Sequence, residues 1–190
     1  MTLDMLRAEV SACQKCGLCA ARKQAVFGDG NENAVLMFVG EGPGEQEDNI
    51  GIPFVGAAGH LLDDYLLAVG IRREDVYIAN IVKCRPPSNR DPKPEEQECC
   101  IGYLRSQVQL IKPKLLVCLG RISACRIIDP EFRITRQHGI WYDKKNMQVM
   151  ATYHPSALLR DPVKRPEAFS DFLKIAEAYE SLRAADNPTV

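Results

Sequence analysis

Short hydrophobic runs alternate with amphipathic stretches along this chain of 190 residues. Four runs have the length and composition of buried β-strands, and they span residues 35–39, 76–82, 115–119 and 148–152. Helical periodicity occurs before, between and after them, at residues 3–12, 57–69 and 95–111 and from about residue 166. Strands connected by helices are typical of a parallel sheet. The pattern therefore predicts one three-layer α/β domain over residues 1–190, with a four-stranded parallel sheet and helices on both faces.

Polar and aromatic residues follow the predicted strands. In a parallel sheet, ligands bind beyond the carboxyl ends of the strands. Residues 40–48, GEGPGEQED, follow the first strand and form a glycine-proline turn with four carboxylates and no lysine. Such a turn does not suit a phosphate, because the carboxylates would repel it. Asn80, Gly120 and His154 lie at the ends of the other strands, and Phe54 lies in the loop after the first. We expect these groups to meet in one cleft.

The chemistry of this predicted cleft points to a planar ligand. Asn80 offers a donor and an acceptor and can recognise an amide or imide edge. Phe54 can stack on a flat ring, and His154 can donate to an oxygen that gains negative charge. Each residue alone also has an ordinary interpretation, as a turn residue, a core aromatic or a surface histidine. Together they predict a pocket for a heterocycle that carries carbonyl groups.

Charge is unevenly distributed in a chain whose net charge is −1. Residues 112–166 hold 11 Lys+Arg against 4 Asp+Glu, a net charge of +7. A basic segment of this kind is either a binding surface for phosphates or a solvated face, and charge alone leaves both open. No apolar run reaches the length of a membrane span, and the N-terminus has no signal-peptide core. We therefore expect a cytoplasmic protein that does not bind a membrane.

Eight cysteines are many for a chain without an export signal, and they favour a metal or cluster site over disulfides. Cys13, Cys16 and Cys19 form a C-x-x-C-x-x-C motif, but Lys23 occupies the position where a bacterial ferredoxin has its next cysteine. A four-cysteine site must therefore recruit distant ligands. The available candidates are Cys84, Cys99 and Cys100, whereas Cys118 and Cys125 lie in apolar runs and are predicted to be buried.

Four stretches carry a resemblance to a known family: GEGPGEQED, IPFVGAAGHLL, YIANIVKCRPPSNRDP and HPSALLR. In this order and spacing, over residues 10–172, they resemble the iron–sulfur uracil-DNA glycosylases, the family 4 type of bacteria and archaea. The resemblance implies a base-excision repair enzyme with the uracil-DNA glycosylase fold. Such an enzyme flips uracil out of single- or double-stranded DNA and hydrolyses its N-glycosidic bond, leaving an abasic site. We expect it to act as a monomer.

The resemblance also implies a cofactor, a structural 4Fe–4S cluster. Its ligands would be Cys13, Cys16, Cys84 and Cys100, and family spacing selects Cys100 over Cys99 because it lies sixteen residues after Cys84. The cluster would fasten together two segments that are distant in sequence, residues 13–16 and 84–100. A tetrahedral zinc site satisfies the same spacing and is the structural rival.

Family positions further imply roles in the pocket. The amides at Gly40 and Gly42 would bind the uracil carbonyl edge, Phe54 would stack, Asn80 would recognise the uracil edge, and His154 would donate to uracil O2. Better-known uracil glycosylases have an aspartate and a tyrosine where this chain has Gly42 and Gly44. The candidate replacements are Glu41 and Glu47; we favour Glu47 for the water or the thymine-excluding wall and Glu41 for positioning the turn.

The late HPSALLR motif resembles the wedge that fills the space of an extruded base. Leu158 or Leu159 would be the wedge, although ordinary packing on a helix face is the alternative. The residues expected to hold flanking phosphates are Arg160, Lys164 and Arg165, with residues 87–92 as a second loop on the DNA backbone.

Two other functions are compatible with parts of the pattern. One is a protein that binds or covalently traps uracil-DNA without turnover, but KCRPPSNRDP lacks the basic insertion of that relative. The other is an iron–sulfur redox module in which the glycine turn holds a nucleotide. A protein with bound iron that releases free uracil from DNA would exclude both.

Overall fold

A computed structural model of the chain describes residues 1–186, so the last four residues of the predicted domain lie outside the described part. Its central sheet has six strands in the order β1-β3-β2-β4-β6-β5. The strands, in chain order, are β1 (Asp29–Gly30), β2 (Leu36–Gly40), β3 (Tyr77–Asn80), β4 (Leu115–Leu119), β5 (Tyr142–Lys144) and β6 (Met147–Thr152).

The described residues also form eight α-helices. Those that were predicted from periodicity agree with the structure to within two residues at each end. The helices are α1 (Leu3–Ser11), α2 (Glu45–Ile50), α3 (Ala57–Ala68), α4 (Pro94–Ile111), α5 (Arg121–Ile127), α6 (Ile134–Gln137), α7 (Pro155–Arg160) and α8 (Arg165–Asp186). Within residues 1–186, no helix is both long and apolar enough to cross a membrane.

The four predicted strands are the parallel centre of this sheet. β2 pairs in parallel with both β3 and β4, and β4 pairs in parallel with β6. The α/β class is therefore confirmed. The prediction of a sheet with only four strands is wrong, because β1 and β5 add antiparallel edges. Both edge strands are short and largely exposed, so they carry no hydrophobic pattern that the sequence could show.

Side chains of the central strands alternate between two buried faces. Met37 and Val39 belong to the core that α1 and α4 cover, whereas Leu36 and Phe38 belong to the core of α3 and α8. On the second face the rings of Phe38 and Phe172 stack with centroids 6.1 Å apart. The predicted three layers are confirmed. Because both faces are covered, the carboxyl edge of the sheet is where ligands can approach the parallel strands.

Candidate active site and cysteine-lined cavity

A cleft of about 250 Å³ opens at the carboxyl ends of the parallel strands. The turn after β2, the end of β3 and the segment after β6 each contribute to its walls. The structure thus brings together Phe54, Asn80 and His154, which are distant in sequence. The complete lining is Glu41, Gly42, Pro43, Gly44, Glu47, Phe54, Ala58, Asn80, Pro86, Asn89, Arg90, His154, Ser156 and Arg160.

Asn80 is the polar group at the base of the cleft. It is the last residue of β3 and is only 2% exposed. Its side-chain Oδ1 is buried and has no hydrogen-bond partner within the described residues. An unpaired buried oxygen costs about 1–3 kcal/mol, so such an atom is expected to meet a donor from a ligand. Asn80 therefore presents an acceptor for an N–H group that enters the cleft.

Phe54 forms one wall in a strained backbone conformation. Its φ angle is +55°, a left-handed value that is uncommon for a bulky residue and that often occurs at functional sites. Its ring centroid lies 5.6 Å from that of His154. Gly40 makes this arrangement possible, because a Cβ there would lie 2.6 Å from the Phe54 ring and 2.4 Å from Asn80 Oδ1. The absence of a side chain at Gly40 therefore leaves room for Phe54 and Asn80.

His154 follows β6 and is held in one tautomer. Its Nδ1 accepts the Ser156 backbone N–H at 3.1 Å, and Ser156 Oγ lies 2.8 Å from the same nitrogen. Because Nδ1 is an acceptor, the proton of the neutral ring is assigned to Nε2. Burial, and after it the charge of Arg160, lower the pKa of His154 to about 4. Gly120 has a φ of +89°, and a Cβ there would lie 2.7 Å from His154 Cβ.

Glu47 uses both of its carboxylate oxygens to hold the walls of the cleft. One oxygen accepts the Gly44 N–H at 3.1 Å, as part of the first turn of α2. The other accepts the N–H groups of Val55 and Gly56, each at 2.9 Å. These three bonds connect the glycine turn to the loop that carries Phe54. Glu47 is therefore committed to backbone contacts.

Glu41 is the second carboxylate of the cleft, and its surroundings are different. Burial, and after it the neighbouring Asp91, raise the pKa of its carboxyl to about 7, although Arg121 and Arg160 oppose the rise. Asp91 itself pairs with Arg121 at 2.8 Å. Glu41 therefore changes its charge near neutral pH.

The loop after β3, of which residues 87–92 were expected to contact the DNA backbone, also forms part of the cleft wall. Pro86, Asn89 and Arg90 line the cleft, and Ser88 and Asn89 have φ angles of +54° and +53°. Arg90 forms a two-point ion pair with Glu96 in the first turn of α4, at 2.7 and 2.8 Å. The PPSN sequence signals a tight turn, but no local signal places it beside the cleft.

The two leucines proposed as the wedge have different surroundings. Leu158 is 1% exposed and belongs to the core under α8, whereas Leu159 is 40% exposed. Among the predicted phosphate contacts, Lys164 already pairs with Glu167 at 3.0 Å, and Arg165 Nε donates to the Leu158 carbonyl at 3.3 Å. Arg160 lines the cleft and, within the described residues, makes no ion pair.

Basic residues of the segment 112–166 have different surroundings. Arg121 and Arg160 influence Glu41 at the cleft. Arg126 instead pairs with Glu98, and Lys144 donates to the carbonyl of Ile127. Only part of the segment is therefore placed to meet a ligand of the cleft.

Six cysteines line a second, small cavity between α1, the loop after β3 and the start of α4. They are Cys13, Cys16, Cys19, Cys84, Cys99 and Cys100. Cys84 and Cys100 are buried, and Cys99 is exposed. Cys118 is fully buried, as predicted, but Cys125 is only partly buried. The segments predicted to hold a cluster are thus brought to one place.

The sulfur atoms of this cavity receive hydrogen bonds from cationic and backbone donors. Arg22 donates to Cys84 Sγ at 3.1 Å, and the Lys83 backbone N–H donates to Cys100 Sγ at 3.3 Å. Burial raises the pKa of Cys100 to about 11, although Lys83 opposes the rise. Within residues 1–186, no three metal-binding side chains lie close enough together to hold a single ion. These donors suit anionic sulfur.

The chain is similar to known proteins over most of its length. The family model described as the uracil DNA glycosylase superfamily matches residues 27–177. A type-4 uracil-DNA glycosylase of Archaeoglobus fulgidus is 49% identical over 184 residues, which cover 93% of this chain and 92% of the relative.

Two further relatives carry the same name. That of Sulfurisphaera tokodaii is 44% identical over 185 residues, 93% of this chain and 84% of the relative. That of Thermotoga maritima is 45% identical over 163 residues, 84% of each chain.

Proposed function

The chain belongs to the uracil DNA glycosylase superfamily and, within it, to the type-4 uracil-DNA glycosylases, and from this premise we propose that it removes uracil from DNA. The reaction hydrolyses the bond between uracil N1 and deoxyribose C1′, releases free uracil and leaves an abasic site for base-excision repair. One observation carries the proposal for this cleft: Asn80 Oδ1 is buried without a partner beside the Phe54 and His154 rings.

Asn80 explains how the cleft can select uracil over cytosine. Its Oδ1 accepts the N3–H of uracil, and its amide nitrogen donates to O4. Cytosine has an unprotonated N3 and an amino group instead, so both contacts become unfavourable in the same orientation. The Phe54 ring stacks on one face of the base. Unpaired polar groups are a strong basis for rejecting a wrong ligand.

His154 acts on the leaving group as a neutral donor. Its lowered pKa, about 4, keeps the ring uncharged at neutral pH, and Nε2 carries the proton because Nδ1 accepts from Ser156. The bond from Nε2–H to uracil O2 strengthens as negative charge develops on the departing base. The ring is therefore a stabiliser of the transition state and does not need to give up its proton.

We assign the two glutamates opposite roles to those that the sequence alone favoured. Both oxygens of Glu47 are occupied by backbone N–H groups, so Glu47 positions the turn and the Phe54 loop. Glu41 lines the cleft with a carboxyl whose pKa is about 7, so it is ionised above neutral pH. Glu41 then orients the attacking water and stabilises the cationic sugar.

The exposed end of α7 supports a DNA-binding surface beside the cleft. A base must leave the duplex before the cleft can hold it, which costs a few kcal/mol of stacking and pairing energy. Leu159 is exposed beside the cleft and fills the vacated space, while Leu158 packs in the core. Arg160, without an ion-pair partner among residues 1–186, contacts a flanking phosphate.

The cysteine-lined cavity would hold the 4Fe–4S cluster implied by the family. Cys13, Cys16, Cys84 and Cys100 would be its ligands, since Cys84 and Cys100 are buried and receive hydrogen bonds. When bound, the cluster supplies a structural crosslink between two distant segments.

Release of free uracil tests the proposal. Oligonucleotides with one deoxyuridine, single-stranded and duplex, are incubated with wild-type protein and with Asn80→Asp. We expect several uracils released per wild-type molecule, and strongly reduced release by Asn80→Asp, because an ionised carboxylate cannot donate to O4. A covalent protein–DNA adduct without turnover, or full activity of Asn80→Asp, would contradict the proposal.

A further inference from the structure

A lysine lies in the core between the uracil cleft and the cysteine-lined cavity. Lys83 is 1% exposed, and its ammonium donates to the Asn80 backbone carbonyl at 3.0 Å and to Gln107 Oε1 at 2.6 Å. Within residues 1–186 it forms no ion pair with a carboxylate. Burying an ammonium group costs free energy unless its N–H donors are well paired. A lysine that is buried with only two neutral acceptors therefore needs a functional or structural explanation.

The first acceptor is the peptide that carries the uracil-recognising side chain. Neighbouring residues of a strand direct their backbone groups to opposite sides, and Ile81 donates towards β2, to the Gly40 carbonyl at 3.0 Å. The Asn80 carbonyl therefore faces the side of β1. Because β1 pairs only with Tyr77 and Ile78, no strand within residues 1–186 supplies a donor there. The Lys83 ammonium takes that place and fixes the end of β3.

The second acceptor, the Gln107 side-chain amide, is fixed by its own hydrogen bonds. Gln107 is fully buried on α4, and its Nε2 donates to the Phe27 carbonyl at 2.9 Å and to Tyr77 Oη at 3.1 Å. Gln107 Oε1 is thus directed at Lys83, and the amide cannot rotate without losing both bonds. The Lys83 ammonium is therefore held by a hydrogen-bond network that runs from the Asn80 carbonyl through Gln107 to Tyr77, and both ends of the network lie on β3.

The backbone of the same residue contacts the cysteine-lined cavity. The Lys83 N–H donates to Cys100 Sγ at 3.3 Å, its carbonyl accepts the Val26 N–H at 2.8 Å, and the next residue is Cys84. A single residue therefore joins the two sites, through its side chain on one side and its backbone on the other.

We propose that Lys83 is a positioning residue that sets the orientation of Asn80 and so links the order of the cysteine-lined cavity to uracil recognition. This inference rests on the proposed uracil-DNA glycosylase function. Lys83 does not line the cleft; it acts by fixing the Asn80 peptide. Its loss should lower the rate of uracil release and the preference for uracil over cytosine while the protein stays folded.

The experiment compares two variants. Lys83→Met keeps an unbranched side chain of similar length but has no hydrogen-bond donor. Gln107→Met leaves the Lys83 ammonium in place but removes its side-chain acceptor. Lys114→Met, at an exposed lysine before β4, is the matched control. For each purified protein we would measure the single-turnover rate, KM, the uracil-to-cytosine rate ratio at high enzyme concentration, the iron content and the melting temperature.

We expect Lys83→Met to release uracil about tenfold to a hundredfold more slowly, the range for losing one hydrogen bond to a charged group, with a lower uracil-to-cytosine ratio. Iron content should remain near that of the wild type. Gln107→Met should show a smaller loss in the same direction, and Lys114→Met none. An unchanged rate and ratio in Lys83→Met, or a rate that falls only in proportion to lost iron, would overturn the inference.

If Lys83→Met does not fold, Gln107→Met decides. A slower rate and a lower ratio at full iron content support the inference, and wild-type values overturn it. Uracil release by the wild-type protein and by Lys114→Met distinguishes a failure of this inference from a failure of the proposed function. If neither releases uracil, the proposed function fails and this inference fails with it; if both do, any defect belongs to Lys83 or Gln107.

Discussion

Exchanging each cleft glutamate for glutamine should separate a structural role from a chemical one. Glu47→Gln keeps one oxygen, which can still accept from Val55 and Gly56, but it directs an NH₂ group at the Gly44 N–H. The change therefore removes one hydrogen bond and the charge that strengthens the other two. At about 1.5–3 kcal/mol for each bond to a charged group, we expect a loss of roughly 2–4 kcal/mol in the free energy of unfolding.

Glu41→Gln should act in the opposite direction on stability. The pKa of Glu41 is raised to about 7 in the folded protein, so the folded state holds a proton that the unfolded state has released. The stabilisation that protonated Glu41 contributes is fully present below about pH 4.5. It is lost as the pH rises through 7, and the loss in the free energy of unfolding is at most about 3 kcal/mol. Glutamine cannot ionise, so Glu41→Gln should be more stable than the wild type at pH 8 and similar to it at pH 4.5.

Activity should separate the same two variants. If Glu41 must be ionised to orient water, the wild-type single-turnover rate rises with pH through about 7 and then levels. Glu41→Gln should lose this pH dependence and most of its rate. Glu47→Gln should keep the pH profile, with a melting temperature lower by roughly 5–15 °C for a protein of this size.

Thermal unfolding at pH 4.5 and 8, together with single-turnover rates across pH 5–9, would check both variants. Two results together would refute the assignment: a Glu47→Gln protein of wild-type stability but low rate, and a Glu41→Gln protein with the wild-type pH profile. Glu47 would then be the group that acts on water.

Three further predictions concern the leaving group, the wedge and the cluster. His154→Ala should lower the single-turnover rate about 10²–10³-fold with DNA affinity nearly unchanged, measured by fluorescence anisotropy; equal loss of binding would contradict a transition-state role. Leu159→Ala should lose more activity on duplex than on single-stranded DNA, whereas Leu158→Ala, at a buried site, should lose about 2–5 kcal/mol of stability in urea unfolding. The reverse pattern would exchange the two leucines. Cys100→Ala should lose iron and visible absorption, whereas Cys99→Ala, at an exposed thiol, should keep both; stoichiometric zinc in the wild type would remove the cluster.

The hydrophobic pattern was sufficient to locate the four parallel strands, since strands buried on both faces are apolar along their whole length. It could not show β1 or β5, whose exposed Asp, Gly and Lys residues resemble a loop. Edge strands are recognised only by the neighbour with which they pair, and that neighbour is distant in sequence. The class of the fold was therefore predictable, and the full extent of the sheet was not.

The sequence by itself determined that Phe54, Asn80 and His154 share a cleft, because the carboxyl ends of parallel strands meet at one edge. Only the tertiary structure decided which carboxylate is tied to backbone N–H groups and which leucine is exposed. Adjacent residues such as Leu158 and Leu159 have the same local chemistry. Their difference arises from helix packing and from hydrogen bonds between distant segments, which no local pattern of residues contains.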